Sequence, residues 1–235
     1  MPGAQTDTIT VQATEELNGQ QYRCVVMCEE ESVTTEAATL TVVKPDFGQL
    51  PFLDVCSGDW FYDAVRYVVA NGFMNGTSST LFASNGTMTR AMLVTVLYRM
   101  AGSPSVRGLD MPFTDVGEGW YHDAVLWAYS TGIVNGVSST EFAPENLITR
   151  EQMVTIFWRY MNHLGLDVSA PTDLNAFPDC GSVSEYARQA FAWAVKAGII
   201  NGVGEGGASY LRPQGSATRA QAAAMIQRFD AWRTR

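Results

Sequence analysis

The sequence predicts a mainly α-helical protein in which one helix–loop–helix unit occurs three times after a short β-rich segment. The first observation is that the 235-residue chain repeats itself. The matching stretches are WFYDAVRYVVANGFMNG (60–76), WYHDAVLWAYSTGIVNG (120–136) and YARQAFAWAVKAGIING (186–202). The second observation is that apolar residues recur at helical spacing within each copy, whereas those near the start alternate as in strands. We therefore expect a β-rich segment at 1–45 and repeats at 51–108, 109–172 and 173–235.

The composition excludes several classes of protein. Hydrophobic residues make up 46% of the chain and charged residues 17%, which is typical of a globular protein. No apolar run approaches the roughly 20 residues that cross a bilayer, and the first residues lack the pattern of a signal peptide. A net charge of −9 argues against nucleic acid, because phosphates require a basic surface. We therefore expect neither a nucleic-acid partner nor membrane insertion.

The first 45 residues are predicted to form strands. The strand-like stretches are 7–13, 21–26 and 38–43. Tyr22 stands two residues before Cys24, which resembles the tyrosine corner and second cysteine of an immunoglobulin-like sandwich. About 100 residues form such a sandwich, and this segment is similar to its last third only. We therefore interpret it as the carboxyl-terminal fragment of a bacterial immunoglobulin-like domain.

The first helix of each repeat is predicted from one apolar stripe. Trp60, Ala64 and Val68 lie four residues apart and share a helical face, with Trp120 and Tyr186 opening the equivalent helices. A glycine then occupies the left-handed position after each helix, at Gly72, Gly132 and Gly198. An Asn-Gly pair follows, which predicts a tight turn. These pairs are Asn75-Gly76, Asn135-Gly136 and Asn201-Gly202.

The second helix of each repeat is predicted to begin at a threonine N-cap. Two of the three threonines have a capping-box glutamine, namely Thr149 with Gln152 and Thr218 with Gln221. Apolar residues follow at helical spacing and are expected in the core. They are Val96, Leu97 and Met100; Ile156, Phe157 and Tyr160; and Met225, Ile226 and Phe229.

The motifs of the repeats together carry a family resemblance. The pattern F-x-D…W-Y-x-D-A-V…G-I-x-N-G…F-x-P…I-T-R-E resembles the S-layer homology module, most closely over residues 113–151. The three copies cover about four fifths of the chain. The third departs from the pattern, because Tyr186 replaces the tryptophan and Gln189 replaces the aspartate.

The resemblance implies both a fold and a function. The fold is a pseudo-threefold helical domain whose three repeats share a central helical bundle. The function is to hold a surface protein non-covalently on the bacterial envelope, which implies an extracellular location at the cell wall. Grooves between repeats would bind secondary cell-wall polysaccharide, often pyruvylated, or modified peptidoglycan.

An arginine follows each of the three threonines, at Arg90, Arg150 and Arg219. A cation at the first helical position opposes the helix dipole, at a cost of ~0.3–1 kcal/mol. One interpretation is that the arginine, free helix amides and the dipole together bind an anion such as a pyruvyl carboxylate. The alternative is that each arginine bonds carbonyl groups or an aspartate and holds a loop. Three further arginines, nine residues later, are interpreted as mainly structural: Arg99, Arg159 and Arg228.

The other candidate ligand-binding residues have two open roles. Trp60 and Trp120 could stack on sugar rings or lie in the core. The Phe-x-Asp carboxylates could accept hydrogen bonds from sugar hydroxyls or from loop amides. They belong to Asp54, Asp115 and Asp179. The predicted ligand-binding residues also include the three Asn-Gly pairs.

No catalytic, metal-binding or cofactor-binding group is predicted. The two histidines stand alone and there is no Cys-x-x-Cys pair. The spelling Gly202-x-Gly204-x-x-Gly207 follows a helix instead of opening one, so it is not a dinucleotide fingerprint. Cys56 and Cys180 stand in matching loops, where a disulfide and two free thiols are both open.

Three functions remain open at this level. The leading prediction is a non-catalytic anchor that binds wall polysaccharide. The second is a helical-repeat scaffold that binds another protein. The third is the anchor portion of a larger surface enzyme.

Overall fold

The computed structural model describes residues 15–28, 31–41, 50–170 and 173–234. The chain divides into two compact units, residues 1–48 and 49–235. The predicted strand at 7–13 lies outside the described residues. Among those described, no helix combines the length and the apolar character needed to cross a membrane.

Within its described residues, the first unit contains two small antiparallel sheets. β1 (Gln21–Tyr22) pairs with β4 (Ala38–Thr39), and β2 (Val25–Cys28) pairs with β3 (Glu31–Thr34). The hydroxyl of Tyr22 lies 3.4 Å from Oε1 of Gln20, and its ring is only half-buried. The immunoglobulin-like interpretation of this segment therefore stays a prediction.

The second unit is helical, which confirms the predicted mainly α class. Its helices are α1 (Tyr62–Ala70), α2 (Arg90–Met100), α3 (His122–Ser130), α4 (Arg150–His163), α5 (Arg188–Lys196) and α6 (Arg219–Arg233). The threonine caps are confirmed, because the hydroxyl of each accepts a hydrogen bond from the third helical amide. Both predicted capping boxes form. The left-handed glycines are also confirmed, with φ between 69° and 72°.

The helices close into a ring. The second helix of each repeat packs against the first helix of the next: α2 on α3, α4 on α5 and, across the chain ends, α6 on α1. All the predicted core residues of the second helices are buried. The rings of Phe157 and Phe229 stack in the core with centroids 4.2 Å apart. This aromatic contact joins α4 to α6, so the bundle is shared between repeats.

The predicted position of the tryptophans is wrong. The first helices begin at Tyr62 and His122, so Trp60 and Trp120 lie in the turns that precede them. Their exposed fractions are 68% and 60%. Because the two indoles are exposed to solvent, the buried stripe of each first helix starts at Ala64 and Ala124. This is one helical turn later than the spacing predicts.

The predicted Asn-Gly turns are also wrong. Residues 74–76, 134–136 and 200–202 have no turn geometry. Glycine is instead required by crowding, since a Cβ on Gly136 would lie 2.3 Å from the carbonyl oxygen of Ser138 and 2.5 Å from Cε1 of Phe113. Gly76 is crowded in the same way by Phe52. These glycines let the segment that follows each first helix pack against the Phe-x-Asp segment of the same repeat.

The third repeat carries a hairpin that the sequence analysis missed. Strand β5 (Val203–Glu205) pairs with β6 (Ala208–Tyr210). Gly206 and Gly207 connect them with positive φ. The Gly-x-Gly-x-x-Gly spelling thus belongs to a hairpin that opens no helix. Cys56 and Cys180 are free thiols.

Candidate ligand-binding grooves

The Phe-x-Asp carboxylates hold the loops that build the grooves. The two oxygens of Asp115 accept hydrogen bonds from the amides of Phe142 and Ala143, at 2.8 and 2.7 Å. Asp54 and Asp179 bind the matching loops of their own repeats in the same way. This is the loop-holding role, one of the two roles open from sequence.

The pKa of Asp54 reflects this loop contact. Burial opposes its charge, but hydrogen bonds from the amides of Ser84 and Phe82 and from the Ser84 hydroxyl outweigh that effect. Together they lower the pKa of the Asp54 carboxyl below its usual range. The charged form of Asp54 is therefore the form that the loop stabilises.

The helix amides that the predicted anion site requires are not free. The amides of Arg90 and Ala91 donate to the carbonyls of Asn146 and Pro144, at 2.9 and 3.0 Å. The first two amides of α4 and α6 bind loop carbonyls in the same manner, and the third amide binds the threonine cap. The helix ends are therefore satisfied by the next repeat and offer no free donor to an anion.

Each predicted arginine crosses into the next repeat. Nε of Arg90 donates to the carbonyl of Phe142 at 3.0 Å, and Nη2 donates to that of Asn135 at 3.2 Å. Its guanidinium carbon lies 4.6 Å from the Phe142 ring centroid, in cation–π geometry. Arg219 repeats these contacts on the first repeat and so closes the ring.

Arg150 is the exception among these arginines, because it faces Leu211 where the other two face a phenylalanine. Its Nε donates to the carbonyl of Leu211 at 2.8 Å, and Nη1 contacts the Met225 sulfur. Burial is the main cause that lowers the pKa of all three arginines. The loop-holding alternative thus describes their observed contacts.

Two grooves of about 380 Å³ each lie where three repeats meet. We number each groove by the repeat that supplies its Asn-Gly pair. Groove 2 is lined by Arg90 of the first repeat, by Asn135, Gly136, Gln152 and Arg159 of the second, and by Tyr186 of the third. Groove 3 is lined by Arg150 of the second repeat, by Asn201, Gly202, Gln221 and Arg228 of the third, and by Trp60 of the first. The two grooves are equivalent under the threefold repeat.

The structure therefore gathers half of the predicted candidates into two sites. Arg219 and Asn75 meet through a 2.6 Å hydrogen bond in the equivalent position of the first repeat. Trp120 is exposed near the start of α3. Gly76 packs against its own loop.

The sequence analysis missed the role of Arg159 and Arg228. Both line a groove, and Arg228 also reaches the carbonyl of Ile199 at 3.5 Å. At about 3.6 residues per turn, the nine-residue offset places Arg159 on the face of α4 opposite Arg150, so the two arginines line different grooves. The available signal was the recurrence of these arginines in every repeat. It was interpreted as a structural feature of the helix C-terminus.

The groove arginines have no acidic partner within the described part of the chain. None of Arg90, Arg159, Arg150 and Arg228 lies within 4.0 Å of a carboxylate oxygen there. Burial is the largest effect on the pKa of Arg90; among nearby charges, Asp115 raises that pKa and Arg159 lowers it. Each groove thus concentrates positive charge on a protein whose net charge is −9.

Glu151 is a third residue whose role was not predicted from the sequence. It is the second residue of α4, and its exposed fraction is 3%. Its carboxylate accepts hydrogen bonds from Ser184 and from the hydroxyl of Tyr186. Burial and then this hydrogen bond raise the pKa of Tyr186 well above its ordinary value. The available signal was that this position is a glutamate in the second repeat and an alanine in the other two, at Ala91 and Ala220.

Comparison with known proteins yields one family match. A family model described as the S-layer homology domain matches residues 51–91, 112–154 and 176–223. The chain is 32% identical over 176 residues to an endoglucanase of Bacillus sp. (strain KSM-635), covering 75% of this chain and 18% of that protein. It is 30% identical over 167 residues to the surface-layer 125 kDa protein of Lysinibacillus sphaericus, covering 71% and 14%. It is 24% identical over 180 residues to the S-layer protein sap of Bacillus anthracis, covering 76% and 21%.

Proposed function

Because this chain belongs to the S-layer homology family, whose domains are cell-wall anchoring modules, we propose that it binds an anionic secondary cell-wall polysaccharide through grooves 2 and 3. A pyruvylated sugar is the chemistry that fits best. The observation that carries this proposal is the pair of arginines in each groove, which lack a carboxylate partner among the described residues. A ligand carboxylate would supply that partner.

The geometry also suits a sugar ring. Trp60 forms one wall of groove 3 and exposes most of its indole. The C–H face of a sugar packs on an aromatic ring while its hydroxyls stay hydrated. Gln221 and the backbone at Asn201 offer hydrogen-bond groups beside that face. Arg150 and Arg228 would then hold the acidic substituent.

Two grooves on one chain can act together on a long polymer. Once one groove has bound, the second binding event becomes intramolecular, so the apparent affinity exceeds that of either site. This favours anchoring through weak, reversible single sites.

We propose further that the module performs no catalysis and attaches a larger protein to the outside of the cell. The chain spans 14–21% of the length of the three relatives named above, and these include both an enzyme and surface-layer proteins. Proteins with such different names share this region, as expected for an attachment module.

Co-sedimentation with purified Gram-positive wall sacculi tests the proposal. We expect the chain to pellet with intact sacculi and to stay in solution after hydrofluoric acid has removed the secondary polymer. The double variant Arg159→Gln/Arg228→Gln should lose pelleting, whereas Arg107→Gln, an exposed loop arginine, should retain it. Pelleting that survives the acid would indicate peptidoglycan as the ligand. Absence of pelleting with intact sacculi would refute the proposal.

A further inference from the structure

Beside groove 2 lies a buried carboxylate whose hydrogen bonds cross a repeat boundary. Oε1 of Glu151 accepts from the hydroxyl of Tyr186 at 2.8 Å and from the hydroxyl of Ser184 at 2.9 Å. Oε2 accepts from the amide of Ser184 at 3.1 Å. Tyr186 lines the groove, so the carboxylate holds one wall of the binding site in place.

This arrangement occurs in one of the three repeats. The residues equivalent to Glu151 are Ala91 and Ala220, and those equivalent to Tyr186 are Trp120 and Trp60. The glutamate and the tyrosine therefore occur together, as do alanine and tryptophan. The pairing has a physical reason, because a buried carboxylate requires donors and the phenol hydroxyl supplies one. The third repeat has Tyr186 where the other two have tryptophan, and the second repeat has Glu151 where the other two have alanine. The two changes therefore accompany each other.

The pair alters the charge of one groove. The hydroxyl of Tyr186 lies close enough to Glu151, Arg159 and Arg90 for all three charges to act on it. Groove 2 therefore combines its two arginines with an adjacent carboxylate. Neither groove has a carboxylate among its lining residues, but in groove 3 the positions equivalent to Glu151 and Tyr186 are Ala220 and Trp60. One unit of negative charge distinguishes the two sites.

We propose that the Glu151–Tyr186 pair is a specificity determinant that makes groove 2 the weaker site for a carboxylate ligand and leaves groove 3 as the principal site. This inference rests on the proposed function. A carboxylate in groove 2 is repelled by Glu151, whereas groove 3 has alanine at the equivalent position. The carboxylates of Asp115 and Asp179 act on Arg90 and Arg150 in equivalent ways, so they do not distinguish the two grooves. Groove 2 retains a fixed phenol ring, on which a neutral sugar of the same polymer can stack.

The expected difference in affinity is about fivefold. It corresponds to one unit charge roughly 8–10 Å from the ligand at an effective dielectric constant of about 40. Such a charge effect should diminish as salt screens it. Raising the NaCl concentration should therefore narrow the difference between the grooves.

The two grooves can be measured separately in one protein. The Nε–Hε signals of Arg159 and Arg228 report on groove 2 and groove 3 in two-dimensional NMR spectra. Sodium pyruvate serves as the carboxylate probe, with NaCl at matched ionic strength as the reference titration. We expect Arg228 to respond at about fivefold lower pyruvate concentration than Arg159. Equal responses, or no response from either signal, would overturn the inference.

Substitution of the carboxylate supplies the direct test. Glu151→Gln keeps the side-chain shape and should strengthen pyruvate binding at Arg159 about fivefold, with Arg228 unchanged. Glu185→Gln is the matched control, since this exposed neighbour pairs with Arg188 outside the groove. If Glu151→Gln fails to fold, the reciprocal variant Ala220→Glu/Trp60→Tyr should weaken binding at Arg228 by the same factor. An unchanged dissociation constant at the altered groove would refute the role of the pair.

The failure of this inference is distinguishable from failure of the proposed function. Wall co-sedimentation decides the function and does not depend on which groove is stronger. The pyruvate titration decides the inequality of the grooves and needs no wall material.

Discussion

Replacement of Arg90 by methionine should cost stability as well as ligand affinity. In the structure Arg90 donates to two carbonyls of the second repeat and lies over the Phe142 ring. Each hydrogen bond from a charged donor contributes ~1.5–3 kcal/mol and the ring contact ~0.5–1 kcal/mol. Relief of the buried charge offsets part of this loss. We expect the free energy of unfolding to fall by about 3 kcal/mol.

Urea unfolding followed by circular dichroism at 222 nm measures this loss. With a slope of about 2–3 kcal/mol per molar urea, the midpoint should decrease by roughly 1 M. Arg159→Met is the matched control. Arg159 lines the same groove but, within the described residues, makes no hydrogen bond to a loop. Its midpoint should stay near that of the wild type while wall binding weakens. An Arg90→Met midpoint equal to the wild type would refute the loop-holding role of this arginine.

Three further predictions concern the loops. Gly136→Ala should lower the free energy of unfolding by about 2–3 kcal/mol, because the new Cβ would overlap Phe113, whereas Gly117→Ala in open space should change it by less than ~0.5 kcal/mol in the same urea assay. Ala143→Gly should raise the thermal midpoint by about 1–2 °C, since φ at this residue is 57° and glycine removes that strain; a lower midpoint would contradict this. The depressed pKa of Asp54 stabilises the fold above the unfolded-state pKa of about 4, and that contribution is lost as pH falls through the folded-state pKa. Asp54→Asn should therefore lower stability at pH 7 and flatten its decrease on acidification, as unfolding titrations at several pH values would show.

Local structure was largely predictable from the sequence. The starts of the second helices followed from threonines whose hydroxyls satisfy helix amides, and the ends of the first helices followed from glycines that adopt positive φ. The buried face of each second helix followed from the spacing of its apolar residues. These features depend on interactions within a few residues, which the sequence specifies directly.

The errors concerned residues whose partners are distant in the chain. Trp60 has the spacing of a core residue, yet it stands in a turn and forms one wall of groove 3. Arg150, which lines the same groove, is 90 residues away in the chain. The helix amides looked free because the carbonyls that bind them belong to the next repeat. No local pattern distinguishes these alternatives, since the same residue types serve both roles.

The sequence by itself determined the threefold repeat, the helices, their caps and the family. The tertiary structure alone decided that each arginine enters the next repeat, that α6 closes the ring on α1, and that Glu151 holds Tyr186 at groove 2. The physical reason is that helix spacing and capping are set by neighbouring residues. The choice between ligand contact and loop support depends on which donors and acceptors the folded ring brings within about 3 Å of each other.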